Sequence, residues 1–552
     1  MNSTPTTHDV IIMGGGLAGL TLALQLRQRL PMLDVRVLER RSHPVPEACH
    51  KVGESTVEIG AHYFADVLGL KQHLMDTQLK KFGFRFFFSE GRTDFDQVTE
   101  LGASRPLPVG SWQIDRGIFE NFLGQEVQRR GIHFSDNALI RELDLAPDDQ
   151  PDALHTVRWQ EGQQPLQTAQ ARWVIDACGR AGLIKKKLGL ARENAHPAHA
   201  VWFRISEHIV PDGWSQDPAW QARCMSPTRW LSTNHLVGAG YWVWLIPLSS
   251  GSHSVGIVAD PRYHSLDSMN TFERAMDWFK TYQPRLFADL DGKRDKLQDF
   301  AFFKRFSYDC AQIFSDKRWA LAGESGRFLD PFYSPGSDFI GIGNTYITEL
   351  VARDHARQPL GAHVRVYEQV FKSFYDNTLA LYVDQYGLFG DPEVLPIKVF
   401  WDYTYYWGVL AKLFYHQGLT DLVALSHLRD RMAGMQPLNL AVQTFVREMS
   451  THSRKRNLPI MLDQASLPWF VELNRSLVDP HTPEEFMQRL QESATRLRQL
   501  ATEILDRAAA DYPQLDGSPL QQAIEAAGGL VRLPEKLLFP ALGETQDEAL
   551  AV

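Results

Sequence analysis

The 552-residue sequence lacks most of the features that would mark a secreted, membrane-spanning or nucleic-acid-binding chain. Its four cysteines, Cys49, Cys178, Cys224 and Cys310, lie far apart without a CxxC pair. That spacing argues against a zinc knuckle and a disulfide framework, predicts buried thiols, and gives no reason to expect a metal. A formal net charge of −9 supplies no basic field for nucleic acid, and the short run Lys185-Lys186-Lys187 reads as a solvated loop. Met1 to His8 is polar and has no basic leader, and the apolar stretch behind it is broken by glycines. Neither a signal peptide nor a membrane span is therefore expected, and the cytoplasm is the default location. There is no internal repeat and no long low-complexity linker. With 44% hydrophobic and 22% charged residues the composition is that of an ordinary globular protein, frayed only at its ends, after about Leu542.

The chain is organised around Asp9 to Arg40. The apolar run Val10-Ile11-Ile12-Met13 meets Gly14-Gly15-Gly16-Leu17-Ala18-Gly19, an amphipathic run through Leu26 follows, and a second apolar run closes in Val37-Leu38-Glu39. That order predicts strand, tight turn, helix, strand. Gly14 permits the turn, Gly16 lets a pyrophosphate approach the helix N-terminus, and Gly19 lets the helix pack closely on the sheet. Glu39, at the end of the second strand, is placed to accept hydrogen bonds from a ribose. Together these elements predict a dinucleotide site.

Further along, Gly53-Glu54-Ser55 opens a helix over Val57 to Leu70 and is either a cofactor-facing turn or a plain cap. Leu79 to Phe88 reads as one aromatic strand with Lys81, Gly83 and Arg85 on one face, which makes Lys81 an edge charge or a desolvated amine with a task. Arg116 precedes a helix that ends near Gly131, and hairpins are expected between Glu142 and Gln170. The strand ending at Asp176 returns to the first sheet. Residues 197–310, including Tyr241 to Leu248, are β-rich, and the strand leading to Gly323-Glu324 is a third return. Phe332-Tyr333-Ser334-Pro335-Gly336 then turns into a helix, which is either an anion site or an ordinary helix start. From about Gly361 the pattern is helical, with helices expected at Val364 to Leu379, Lys398 to Gln417, Leu419 to Gly434 and Thr482 to Tyr512.

These separated motifs, in this order, resemble the flavin-dependent halogenases, a branch of the two-component flavin monooxygenases. Gly14, Gly16, Gly19 and Glu39 match the family's FAD fingerprint, and Trp242-Val243-Trp244-Leu245-Ile246-Pro247 matches its W-x-W-x-I-P signature. Ser334, Pro335 and Gly336 look like its halide-binding turn and Lys81 like its catalytic lysine. Tyr333 stands where tryptophan-specific members carry a glutamate, and Glu324 where an aspartate is more usual.

The resemblance implies an α/β fold: an FAD-binding Rossmann-like domain of the GR2 type with an interleaved β-sheet substrate domain and a C-terminal helical region. The expected segments are 1–196 (with the Lys81 strand), 197–310, 311–360 and 361–552. FAD contacts would come from Gly14, Gly16, Leu17, Ala18, Gly19, Glu39, Gly53, Glu54, Ser55, Arg116, Asp176, Gly323 and Glu324. Trp242, Trp244, Ile246, Pro247, Phe332 and Tyr333 would line the passage and substrate space, although the two tryptophans also suit a packed core. FADH2, O2 and chloride or bromide would yield hypohalous acid, which Lys81 would relay to a phenolic or pyrrole-like ring. A separate NAD(P)H-dependent flavin reductase is implied, because one dinucleotide fingerprint is present. The substrate is a small aromatic, free or carrier-protein-tethered, and a homodimer is compatible. A flavin hydroxylase, a flavoprotein reductase of the same fold and a non-catalytic flavin-binding protein stay open.

Overall fold

The computed structural model describes residues 6–47, 53–150, 152–225, 227–432 and 434–540, without the side chains of 427–431. Cys49 and the segment after Leu542 lie outside the described residues. The chain divides into two compact units, one of residues 1–78, 114–195 and 307–373, the other of 79–113, 196–306 and 374–552.

The first unit is built on a seven-stranded sheet. Its centre is parallel: Thr6–Met13 lies between Val35–Leu38 and Gln167–Asp176, with Trp319–Leu321 beside the last of these. His155–Glu161 and Ala138–Asp144 add an antiparallel flank, as the hairpin reading of this polar stretch predicts. The central strands are uniformly apolar because both faces are covered. Val10, Ile11, Ile12, Val174 and Ile175 are fully buried. The helices Leu17–Arg29, Arg116–Arg129 and Gly336–His355 belong to the same unit. Three strands end level with one another: Ala177 N donates to Met13 O at 2.7 Å, and Ala322 N to Asp176 O at 2.8 Å. Ligands of doubly wound sheets gather at such strand ends.

The second unit is an eight-stranded sheet in the order Leu297–Phe303, His199–Ile205, His253–Ala259, Tyr241–Pro247, Thr233–Gly238, Phe84–Phe87, Glu100–Gly102, Met461–Asp463. Side chains alternate across it. Tyr241, Val243 and Leu245 join Trp278, Phe279 and Leu286 of the helices Phe272–Tyr282 and Pro284–Asp291 in one core. Each such side chain contributes roughly 1.5–3 kcal/mol by leaving water. Trp242 and Trp244 point to the other face.

Several expectations are corrected. Leu79 to Phe88 is not one strand: Leu79–Lys81 pairs with Ser111–Gln113 in a small sheet, and Phe84–Phe87 pairs with Thr233–Gly238 in the large one. Gly83 between them has φ +75°, a left-handed conformation that breaks the alternation. Residues 79–113 group with the large sheet instead of with the nucleotide-binding segment. The C-terminal region is helical but also contributes the strand Met461–Asp463, which adds in parallel to Glu100–Gly102. The stretch Val57 to Leu70 is an α-helix, Glu58–His62, that widens into a π-turn at Tyr63–Val67. Cys224 and Cys310 are buried and Cys178 is half-buried. Among the described residues no helix is long and apolar enough to cross a membrane.

Candidate functional site

In the first unit each glycine of the opening motif has a separate steric reason. Gly14 has φ +116°, and a Cβ there would stand 2.3 Å from Ala177 O. A Cβ at Gly19 would stand 1.9 Å from Gly14 O, so the helix lies directly on the turn. Gly16 differs: among the described residues no atom lies within 4 Å of where its Cβ would be. Gly16 is also the N-cap of Leu17–Arg29, no side chain caps that helix, and its first turn has no acid. Uncapped N–H groups facing open space at the positive end of a helix fit a pyrophosphate. Glu39 accepts from Gly15 N at 2.7 Å and Arg41 N at 2.8 Å, which fixes its carboxylate beside the loop.

Later segments close on this loop. Gly323 has φ +58°, and a Cβ there would stand 2.9 Å from the Ala18 Cβ, so the third return touches the first glycine turn. Glu324 is half-exposed, with Arg180 Nε at 3.5 Å. Gly53 has φ +95° and lies against Arg116, whose guanidinium is anchored by Glu120 at 2.6 Å. Glu54 and Ser55 are buried. Asp176 is engaged by its own chain, accepting from Cys178 N at 3.0 Å and Ile184 N at 2.8 Å. Burial raises its carboxyl above the usual range despite those bonds.

The turn before Gly336–His355 shares the uncapped start of the first but carries an acid, Asp338, in its first turn. Pro335 is the N-cap, no side chain caps the helix, and a Cβ at Gly336 would meet nothing among the described residues within 4 Å. Ser334 is held at φ +53°, and its N–H donates to Pro331 O at 2.8 Å. Phe332 is buried and packs edge-on against Tyr333 at 4.7 Å. Asp338, in the first turn, accepts from Gly60 N at 2.8 Å.

In the second unit the arrangement centres on Lys81. It is 5% exposed although its neighbour Lys80 is in solvent. Its Nζ lies 3.5 Å from the centroid of the Phe84 ring. From Phe84 an aromatic file continues through His235 at 5.3 Å, Trp242 at 5.3 Å and Trp244 at 5.7 Å. The indoles are buried and satisfied: Trp242 donates to the Tyr386 hydroxyl and Trp244 to Ser254 Oγ, each at 3.0 Å. Ile246 and Pro247 are buried on the same strand. The Lys81 turn is pinned by backbone, with Phe82 N donating to Leu231 O and Thr233 N to Gly83 O, both at 3.0 Å.

The model of an FAD binding domain matches residues 7–248. The flavin-dependent halogenase chlA of Dictyostelium discoideum is 23% identical over 433 residues, which cover 73% of this chain and 70% of that one. A 1H-pyrrole-2-carbonyl-(peptidyl-carrier protein) chlorinase of Pseudomonas fluorescens is 23% identical over 354 residues, covering 60% and 72%. Among solved structures, halogenase PltM superposes with a TM-score of 0.60 at 17% identity, covering 94% of this chain and 99% of its own. The chain is a homologue of the flavin-dependent halogenases.

In this halogenase homologue the sequence motifs thus fall into two groups, each assembled inside one unit. The FAD fingerprint, Gly323 and the Ser334-Pro335-Gly336 turn share the first, and Lys81 and the W-x-W-x-I-P strand share the second. Sequence reading missed His235, which joins Phe84 to Trp242. Its signal was a lone histidine between the polar Ser232-Thr233-Asn234 and the apolar Leu236-Val237, which has no chemistry of its own. It also gave no reason to expect that His8, Asp34 and His133 come together. Arg36 Nε donates to His8 Nε2 at 2.9 Å, which puts the ring proton on Nδ1, facing Asp34 at 2.9 Å. That proton occupies the lone pair an ion would need, so the cluster is a hydrogen-bonded group beside the sheet.

Proposed function

We propose that the protein catalyses FADH2- and O2-dependent halogenation of an electron-rich phenolic or pyrrole-like ring, with halogen relayed by Lys81. The observation that carries this reading is the buried Lys81 amine held over Phe84, at the head of the aromatic file that ends in the W-x-W-x-I-P strand.

Bound reduced FAD would supply the two-electron chemistry by which O2 and halide yield hypohalous acid. The chain's residues bind, orient and shield. The N–H groups after Gly16 hold the pyrophosphate, and Glu39 takes the ribose through oxygen lone pairs left by its two backbone bonds. Leu17, Ala18, Gly53, Glu54, Ser55, Arg116, Gly323 and Glu324 complete the cofactor surround, and Asp176 acts by holding the Cys178–Ile184 turn. Ser334 to Gly336 hold the halide by backbone N–H groups at a helix start.

Lys81 captures hypohalous acid by hydrogen bonding, or as a haloamine formed when N–H and HO–X become N–X and water. It delivers X⁺ to the ring, which loses a proton. Phe332 and Tyr333 would flank the halide turn, and Trp242, Trp244, Ile246 and Pro247 would wall the lysine's surroundings and exclude water. The electrons arrive through a separate NAD(P)H-dependent reductase. The ring is free or tethered to a carrier, and similarity to a 1H-pyrrole-2-carbonyl-(peptidyl-carrier protein) chlorinase supports the tethered alternative.

The test is a mass-spectrometric screen of phenols and pyrroles with flavin reductase, FAD, NADH, O2 and chloride or bromide. A product gaining halogen in place of hydrogen, absent without halide, is expected. A product gaining oxygen whatever the halide would replace this reading by a hydroxylase.

A further inference from the structure

The helical part of the second unit lines a half-open cavity of about 580 Å³, a size that suits a small ligand. None of its lining residues belongs to the flavin, halide or lysine-relay assignments. Thr404, Gly408 and Lys412 come from one helical stretch, Trp469, Glu472 and Leu473 from Pro468–Arg475, and the rest from Pro483–Asp511 and the loop before it.

The charges on its wall are largely spoken for. Asp479 pairs with Arg489 at 3.5 Å, Arg496 with Glu535 at 3.3 Å, and Glu472 with Arg475 at 3.1 Å. Glu485 accepts from the Thr482 N–H in a capping box, and Glu492 from Gln488. Lys412 is the exception: it is 4% exposed, and among the described residues no hydrogen bond or close ion pair holds its amine. An ammonium so placed costs several kcal/mol unless an anion joins it or it sheds its proton.

We infer that this cavity binds a small aromatic carboxylate, with Lys412 as its counter-charge and Trp469 and Leu473 as its apolar wall. Burial first, then Arg489, pulls the empty-site amine down to about 8, against the opposing pull of Glu492 and Asp479 and with a further small push from Arg496. A carboxylate favours the charged amine and raises it again, so binding takes up a proton above pH 8.

The probe is benzoate, with acetate as the comparison lacking a ring, measured by calorimetry on the full chain. Benzoate is expected to bind more tightly than acetate, and its affinity to fall roughly tenfold from pH 7 to pH 9 as the amine loses its proton. Lys412→Met, similar in length and uncharged, should weaken benzoate at least tenfold at pH 7 while FAD binding stays unchanged. Absence of benzoate binding, binding indifferent to pH over that range, or equal binding by Lys412→Met would each overturn the assignment. The wild-type pH series decides it even if the variant folds poorly.

Discussion

Lys81 Nζ lies 3.5 Å from the centroid of the Phe84 ring, three residues further along, across a turn made at Gly83 with φ +75°. A desolvated cation on an aromatic face is worth about 2 kcal/mol. The contact offsets part of the cost of burying the amine and fixes where it points. Lys80, one residue back, faces solvent.

Lys81→Ala is therefore expected to abolish halogenated product, at least 100-fold, while FAD binding and the O2 reactivity of the reduced enzyme persist. Lys81→Arg should fail as well, because a guanidinium keeps the charge yet is never appreciably deprotonated and cannot form the same haloamine. Lys80→Ala serves as the control and should stay near wild type. The measurement is product per FADH2 consumed, beside stopped-flow flavin absorbance. Near wild-type product from Lys81→Ala would remove the lysine from the mechanism.

The glycine loop separates binding from folding. A side chain at Gly16 meets open space in the fold but fills the pyrophosphate position, so Gly16→Val should fold normally and lose FAD affinity by 100-fold or more. Gly19→Val should instead lose stability, because its Cβ would meet Gly14 O at 1.9 Å. Overpacking typically costs about 1–3 kcal/mol, and a backbone clash belongs at the upper end. Thermal unfolding paired with flavin-fluorescence titration distinguishes the two, and unchanged FAD affinity in Gly16→Val would refute the assignment of this loop.

What was legible in the sequence was local. The Asp9–Arg40 unit could be read because three glycines, a helix and an acid do separate jobs within about thirty residues. The strand broken at Gly83 could not: lysine, glycine and arginine alternating with phenylalanine fit one strand equally well, and the bend depends on backbone bonds to Leu231 and Thr233. The three-residue strand Met461–Asp463 has too short a pattern to show a period, and its partner Glu100–Gly102 is remote in sequence. The roles of Asp176 and His235 likewise rest on partners that no spacing rule supplies.

The proposed reading has electrons reach the flavin from a separate NAD(P)H-dependent reductase. Chemically reduced FAD should support product formation without any reductase, whereas NADH with oxidised FAD should give less than about a hundredth of that rate. Comparable turnover from NADH and FAD alone, in a preparation free of reductase, would show that the chain reduces its own flavin.

The last prediction concerns Glu100, which is fully buried between Arg85 and Arg229. Arg229 Nε donates to it at 2.9 Å, and Arg85 donates to it and also to Ala103 O at 2.7 Å. Burial alone would raise this carboxyl, but the two guanidinium groups outweigh it and hold it below the usual carboxylate range. Glu100→Gln would leave two buried cations without a counter-charge, a loss of about 3–5 kcal/mol against a typical total of 5–15. The sign of the pH dependence follows from the depressed value. The unfolded carboxyl, near 4.3, binds its proton before the folded one does, so the stabilisation is complete above that pH and is lost as pH falls through the folded value. Wild-type stability should therefore drop from about pH 5 downward, and the acid limb of Glu100→Gln should be flatter. Because Glu100–Gly102 pairs with Phe84–Phe87, the variant should also lose halogenation more than it loses FAD affinity. Denaturant unfolding from pH 3 to 8, with activity at pH 7, checks both. Equal stability of Glu100→Gln and wild type at pH 7 would show that the triad contributes nothing to holding the Phe84–Phe87 strand.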